Sequence, residues 1–336
     1  MGLIIPVFIS HRGCPHQCLF CNQHAISGQQ DEDGDPKGES IEDVIDIWLG
    51  RSPGQKDVEV AFYGGSFTCL AHDEQRRLLG AVTPYINDGR VAGIRLSTRP
   101  DCVSQENSRF LVEMGVKTVE LGVQSLDDRV LAACRRGHSA DDSRRAMDTL
   151  RAAGLQVGVQ LLPGLPGETT RSFIAGLREI ITFHPDLVRL YPAVVVAQSP
   201  LADLYRQEKY TPLTLNAAIG LTRRAKEMLD AASIPVIRMG LQPSDELAKQ
   251  VVAGPYHPAF GELVVSRQWF RRIRKRLRAC GVGEHLIVYI SDRDHSAVVG
   301  MKKMNIIRLA KLGFQGRFTI IPEKNRERGT VKYAVC

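Results

Sequence analysis

The chain has 336 residues, 43% hydrophobic and 24% charged, with eight cysteines and a formal net charge of +7. That length suits one large α/β domain plus a small appendage, and the composition is that of an ordinary soluble globular protein. It excludes a membrane span, since no apolar run approaches the roughly 18–20 residues required, and a disulfide scaffold, for which the cysteines are too sparse.

The first strand is expected over residues 3–9, short and apolar. It is too short for a signal peptide and lacks a basic flank, and Pro6 stands where a myristoylation signal would want Ser or Thr. A cytoplasmic protein is expected. Directly after this strand come Cys14, Cys18 and Cys21, three of the eight cysteines within eight positions. Gly13 and Pro15 oppose helix here, so the segment should loop around a centre. That grouping reads as metal binding rather than bridging. Three thiolates on one loop can bind three corners of a cubane cluster and leave the fourth iron without a protein ligand, the open position of a catalytic site. The alternative is zinc, with His11, His16 or His24 as fourth ligand. Residues 27–40 are polar, acidic and glycine-containing, and read as an exposed loop.

Beyond it, short β-branched runs alternate with amphipathic stretches. Strands are expected at 58–63, 93–97, 118–123, 156–162, 187–190 and 235–239, and helices at 41–49, 74–86, 105–114, 140–153, 170–183 and 213–232. Ser139 is a candidate helix cap and Gly154 a candidate stop. Such alternation argues for a parallel sheet in a partial or closed βα barrel. The rhythm breaks after residue 240, which divides the chain into a core of residues 1–240 and an extension of 241–336. Turn formers fill Gly254-Pro255-Tyr256-His257-Pro258, which reads as an interdomain turn or a closure of the barrel mouth. The extension then reads as helix 268–279, strand 285–290, helix 302–312 and a hairpin of 317–321 with 330–335, a small α+β domain.

Charge is uneven along this plan. From Leu263 onward there are 17 Lys and Arg against 5 Asp and Glu, a net +12, while the preceding part has 27 against 32. The run Arg271-Arg272-Ile273-Arg274-Lys275-Arg276-Leu277-Arg278 surrounds two apolar positions with cations. It reads either as the solvated face of a surface helix or as a phosphate-contacting one. Lys302, Lys303, Arg308, Lys311 and Arg317 extend the excess. Trp269, Phe270 and Phe314 are the candidates for base stacking.

Cys-x3-Cys-x-aromatic-Cys after the first strand, with Phe20 as the aromatic, resembles the radical SAM superfamily. Tyr63-Gly64-Gly65-Ser66-Phe67 stands where that family places a glycine pair contacting the amino group of S-adenosylmethionine (SAM). Several further stretches are similar to the radical-SAM half of the Elongator catalytic subunit: Ser97-Thr98-Arg99-Pro100-Asp101, Glu120-Leu121-Gly122-Val123-Gln124-Ser125, Arg136-Gly137-His138, Leu162-Pro163-Gly164-Leu165-Pro166-Gly167 and Leu190-Tyr191-Pro192. Oxygen-independent coproporphyrinogen oxidase shares the Gly-x-Gln-Ser and Gly-Leu-Pro-Gly elements.

The resemblance implies a radical SAM barrel over about 240 residues. It implies a 4Fe-4S cluster on Cys14, Cys18 and Cys21, and SAM held by residues around Phe20, Gly64, Gly65 and Ser66. Gln124 matches a SAM-contacting strand end, Arg136 an arginine on the methionine carboxylate, and Gln160 a position facing the ribose hydroxyls. Ser97 replaces a frequent Glu and Gln160 a frequent acid. Cys134 reads as an ordinary buried thiol.

The implied activity is reductive cleavage of SAM to a 5′-deoxyadenosyl radical that abstracts hydrogen from a substrate, with an electron donor such as flavodoxin or ferredoxin. In the Elongator-like branch the substrate is tRNA. The stretch after Leu263 is too short for the acetyltransferase domain of that branch. The alternatives are the same chemistry on a small molecule or tetrapyrrole, and a zinc-stabilised nucleic-acid-binding protein without catalysis.

Overall fold

The computed structural model describes residues 2–9, 11–22, 40–281 and 283–336. Its chain divides into two compact units, Met1–Ala218 with Ala225–Pro258, and Ile219–Arg224 with Ala259–Cys336. The expected division after residue 240 stands against this one after Pro258. No described helix is long and apolar enough to cross a membrane.

The first unit is built on β1 (Ile4–Phe8), β2 (Glu59–Tyr63), β3 (Gly93–Thr98), β4 (Val116–Gln124), β5 (Gln156–Leu161), β6 (Leu187–Leu190) and, after the short β7 (Val195–Val196), β8 (Val236–Met239). Seven of these form one parallel sheet in the order β1-β2-β3-β4-β5-β6-β8. β1 and β8 are its edges, so the sheet is a curled, partial barrel. β7 pairs instead with β9 (Val251–Ala253), antiparallel. Gly254 follows β9 with φ +104°.

The helices are α1 (Ile41–Arg51), α2 (His72–Gly80), α3 (Thr83–Asn87), α4 (Gln105–Glu113), α5 (Asp128–Ala133), α6 (Ala140–Ala152), α7 (Thr170–Thr182), α8 (Pro200–Arg206), α9 (Leu215–Ala231) and α10 (Asp245–Gln250). Ser40 and Ser139 start α1 and α6 with complete capping boxes, on Asp43 and Asp142. Each such cap stabilises its helix by about 1 kcal/mol. The single helix expected over 74–86 is two. Pro84 has no N–H to give and its ring would strike the carbonyl four residues back, so the chain re-enters as α3.

Alternation along the strands sorts the two faces of the sheet. Val60, Phe62, Ile94, Leu96, Val119 and Leu121 are buried on one. The other carries Tyr63, Arg95, Ser97, Glu120, Gln160 and Arg189, brought side by side by the register. Ser97 lies opposite Glu120, Glu120 opposite Gly158, and Gln160 opposite Arg189. A Cβ on Gly158 would come within 2.6 Å of Leu187 Cδ1 and 2.9 Å of Glu120 Cγ, so glycine there makes room for both side chains.

The second unit holds α11 (Phe260–Arg278), β10 (Leu286–Ser291), α12 (His295–Val299), α13 (Met304–Leu309), β11 (Phe318–Glu323) and β12 (Val331–Val335). Trp269, Ile273 and Leu277 of α11 pack with Leu286, Val288 and Ile290 of β10. The expected hairpin does not form. β10 lies between the other two strands, parallel to β11 and antiparallel to β12. Its inward residues Leu286, Val288 and Ile290 are wholly buried, and this most apolar strand takes the centre, where both edges are satisfied. The helix expected from residue 302 begins at Met304, because Lys302 and Lys303 are left-handed.

Candidate metal centre and its surroundings

The cysteine loop is laid against the sheet by backbone bonds. Ile9 and His11 donate to the carbonyls of Tyr63 and Gly64, and Ser66 donates back to Arg12. A Cβ on Gly65 would lie 2.5 Å from the carbonyl oxygens of both Ile9 and Arg12. That glycine is therefore required by the approach of the cysteine loop itself. Further along, Leu19 donates to the carbonyl of Cys134 and accepts from the amide of Leu201, and the Asn22 side chain donates to Ala197. Phe20 packs on two apolar clusters that include Val130, Leu165, Leu201 and Tyr210. It works as an anchor for the loop.

Cys14, Cys18 and Cys21 take part in no disulfide. Cys14 and Cys21 line a cavity of about 450 Å³ with His11, His16, Asn22 and Gln198, a volume within the roughly 300–1,000 Å³ of pockets for cofactor-sized ligands. Cys18 is not among the lining residues. It is 4% exposed, and its sulfur accepts from Arg136 Nη1 at 3.2 Å. Among the described residues no three His, Cys, Asp or Glu side chains converge as on one metal ion. His24 and residues 27–39 lie outside the described part.

The other expected site residues fall into two groups. Ser66, Gln124 and Arg136 are buried by the cysteines. Ser66 Oγ is 3.3 Å from Cys14 Sγ. Gln124 closes β4 in a left-handed conformation, φ +65°, with its side-chain oxygen buried and unpartnered. Arg136 Nη2 donates to the carbonyl of Gly122 at 2.7 Å, and its Nε has no partner. Ser97 and Gln160 instead join the polar sheet face, where Gln160 Nε2 donates to Ser97 Oγ and to Glu120.

Sequence reasoning gave no role to the centre of that face. Glu120 is wholly buried and accepts from Tyr63, Arg95, Arg189 and Gln160; Arg95 also pairs with Glu59 at 2.6 Å. The available signal was a charge inside each of three short apolar strands, since such residues are almost never fully buried unless paired.

Two titrating groups are displaced nearby. Burial pushes His138 down to about 4, helped by the positive Arg136 and Arg99, so its ring is neutral. Burial pushes Glu168 up to about 7, against the hydrogen bonds it accepts from Gly164 N and Ser125 Oγ. Glu168 thereby ties the Gly164 turn to the end of β4. Burial also lifts the Cys134 thiol to about 12, which keeps it an inert thiol, as expected. Cys69 and Cys102, for which no role was expected, form one bridge, which is compatible with the absence of a disulfide scaffold. Each follows a strand end, of β2 and β3, and they are joined as a disulfide.

The donor set fits an iron–sulfur cluster with a small ligand: three cysteines outside any disulfide on one pinned loop, a cavity at two of them, and buried polar atoms without partners at Gln124 and Arg136. The radical SAM superfamily matches residues 8–180, and its C-terminal domain matches residues 185–269. The tRNA uridine(34) acetyltransferase of Methanocaldococcus infernus is 30% identical over 88% of this chain and 62% of its own length. That of Dehalococcoides mccartyi is 32% identical over 72% and 58%. The solved structure of the archaeal M. infernus Elp3 with an N-terminal deletion superposes with a TM-score of 0.62 at 25% identity, covering 82% of this chain and 63% of that one. This chain thus spans less than two thirds of the length of these relatives.

Proposed function

The chain belongs to the radical SAM superfamily, and on that premise we propose that it starts radical chemistry on a uridine of tRNA. Its cofactors are those of the superfamily, a 4Fe-4S cluster and SAM. The chemistry this pair supplies when bound is one-electron cleavage of the sulfonium to methionine and a hydrogen-abstracting 5′-deoxyadenosyl radical.

The protein's part is placement. Cys14, Cys18 and Cys21 would hold the cluster, and three ligands for four irons leave one corner for the amino acid end of SAM. Phe20 and the bonds to Tyr63, Gly64, Cys134 and Leu201 fix the loop against the sheet. The buried oxygen of Gln124 is an acceptor awaiting a donor. Ser97 and Gln160 can meet ribose hydroxyls by exchanging one bond of their present network. The electron comes from a cytoplasmic donor such as flavodoxin or ferredoxin.

One observation carries the tRNA reading beyond the likeness to tRNA-modifying proteins. Arg267, Arg271, Arg274 and Arg278 recur at helical spacing along one row of α11. Burial and then mutual repulsion lower Arg267 and Arg274: Arg308, Arg223 and Arg271 act on the first, and Arg278 and Arg271 on the second. Cations held together at that cost suit a polyanion. Acetyl transfer forms no part of the proposal.

The test is anaerobic. Purified protein should carry iron and sulfide, absorb broadly near about 400 nm, and release 5′-deoxyadenosine from SAM on reduction. Alanine at Cys14, Cys18 or Cys21 should abolish all three. Nucleoside mass spectrometry of tRNA from a deletion strain should then show a lost uridine modification; an unchanged profile would count against tRNA and leave the radical chemistry standing.

A further inference from the structure

The sulfurs of Cys18 and Cys14 are each met by a buried hydrogen-bonding side chain. Arg136 is 7% exposed; its Nη1 donates to Cys18 Sγ at 3.2 Å and its Nη2 to the Gly122 carbonyl at 2.7 Å. Ser66, 2% exposed, sets its Oγ 3.3 Å from Cys14 Sγ. Neither side chain is there by accident of a loose surface. The Arg136 amide donates to Leu131 at the end of α5, and the Ser66 amide donates to Arg12.

We propose that Arg136 and Ser66 are positioning residues for the cluster, donating to the sulfurs of Cys18 and Cys14 and thereby raising its reduction potential. The inference rests on the reading of Cys14, Cys18 and Cys21 as cluster ligands. A bound thiolate is negative, and reduction adds one more negative charge to the centre it holds. A hydrogen aimed at sulfur favours that more negative state, and a guanidinium in a dry setting favours it more than a hydroxyl does. This differs from the role that family likeness gives Arg136. With one N–H of Nη1 on Cys18 and one of Nη2 on Gly122, three N–H groups, Nε–H among them, are left to meet a carboxylate of SAM, so the two roles are compatible.

The experiment compares wild type with Ser66→Ala, Arg136→Lys and Arg136→Gln, each reconstituted anaerobically. Iron and sulfide are counted, and the midpoint potential is read by EPR-monitored redox titration without SAM. The potential should fall in Ser66→Ala and fall further in Arg136→Gln, with Arg136→Lys between wild type and Arg136→Gln. Because SAM is omitted, its carboxylate plays no part in the reading, and Arg136→Lys, which keeps the positive charge, separates loss of the hydrogen bond from loss of charge. Full clusters with unmoved potentials overturn the proposal. Should Arg136→Gln fail to load, Ser66→Ala and Arg136→Lys decide it by the same measurement. A wild-type protein that takes up no iron and sulfide overturns the cluster reading itself, a different result from loaded variants with unchanged potentials.

Discussion

Charges on the polar face of the large sheet and charges on α11 are treated in opposite ways. On the sheet, Glu59, Arg95, Glu120 and Arg189 interlock with alternating sign, and Tyr63 and Gln160 fill the remaining positions on Glu120. On α11, arginines follow one another along a row, and burial followed by the neighbouring cations lowers the proton affinity of Arg267 and Arg274. The sheet satisfies its charges internally at the cost of desolvating them, which suits a part that must hold one shape. The helix keeps Arg271 and Arg278 beside water and sets them among other cations. Glu168 stands between the two cases. It is partly buried where Glu120 is wholly so, is answered by neutral donors, and has had its proton affinity raised.

The largest effect should come from breaking the sheet's pairing at its centre. Glu120→Gln keeps the shape and removes the charge that faces Arg95 and Arg189. Arg95 keeps Glu59, but leaving Arg189 uncompensated costs on the order of 3–5 kcal/mol. Urea unfolding followed by Trp48 fluorescence in a Trp269→Phe background reads the first unit, since Trp48 lies on α1 and Trp269 on α11. Replacing Glu120 and Arg189 together by Leu and Met should recover much of the loss. A loss below about 1 kcal/mol in the single variant would mean that water reaches this face and that the pairing is not what holds it.

Glu168 should give a smaller effect with a definite sign. Its folded-state affinity is raised from 4.5 to about 7, so the folded protein holds the proton that the unfolded chain releases. Its contribution is complete below pH 4.5 and is lost as pH rises through about 7. The swing is on the order of 2–3 kcal/mol. Stability should therefore fall between pH 5 and pH 8 in wild type, and this component should vanish in Glu168→Gln. An identical pH profile for the variant would assign the slope to other groups.

The same contrast explains what could be read in the sequence. The seven sheet strands and the cysteine loop were legible because they are local: β-branched runs, helix caps such as Ser139, and three cysteines in eight positions. The network around Glu120 was not, because it exists only once register sets Ser97, Glu120 and Gly158 in a row across three strands. The Cys69–Cys102 bridge is of the same kind, 33 residues apart in sequence and adjacent only because β2 pairs with β3. The missing hairpin shows the reverse error. Neighbours in sequence, β11 and β12, lost to the more apolar β10. The break at Pro84 was legible in principle, since proline cannot sit inside a helix without disrupting it.

The smallest effect on stability should come from the helix, and that smallness is the informative part. Arg271 and Arg278 are exposed and Arg274 half-buried, and Arg278 and Arg271 repel Arg274. Changing all three to Gln should move stability by no more than about 0.5 kcal/mol, or raise it slightly as the repulsion is relieved. Binding to bulk tRNA, measured by filter retention over a range of salt, should respond differently. Affinity should fall at low salt, and the slope of log affinity against log salt should shrink by about two to three, one for each lost phosphate contact. The loss should be similar for unrelated tRNAs, since phosphate contacts carry no sequence information. If stability drops by several kcal/mol instead, the arginines have internal partners like those of the sheet and the contrast fails. If stability holds and the salt slope is unchanged, the row is a solvated face, and the RNA must be sought on another surface of the protein.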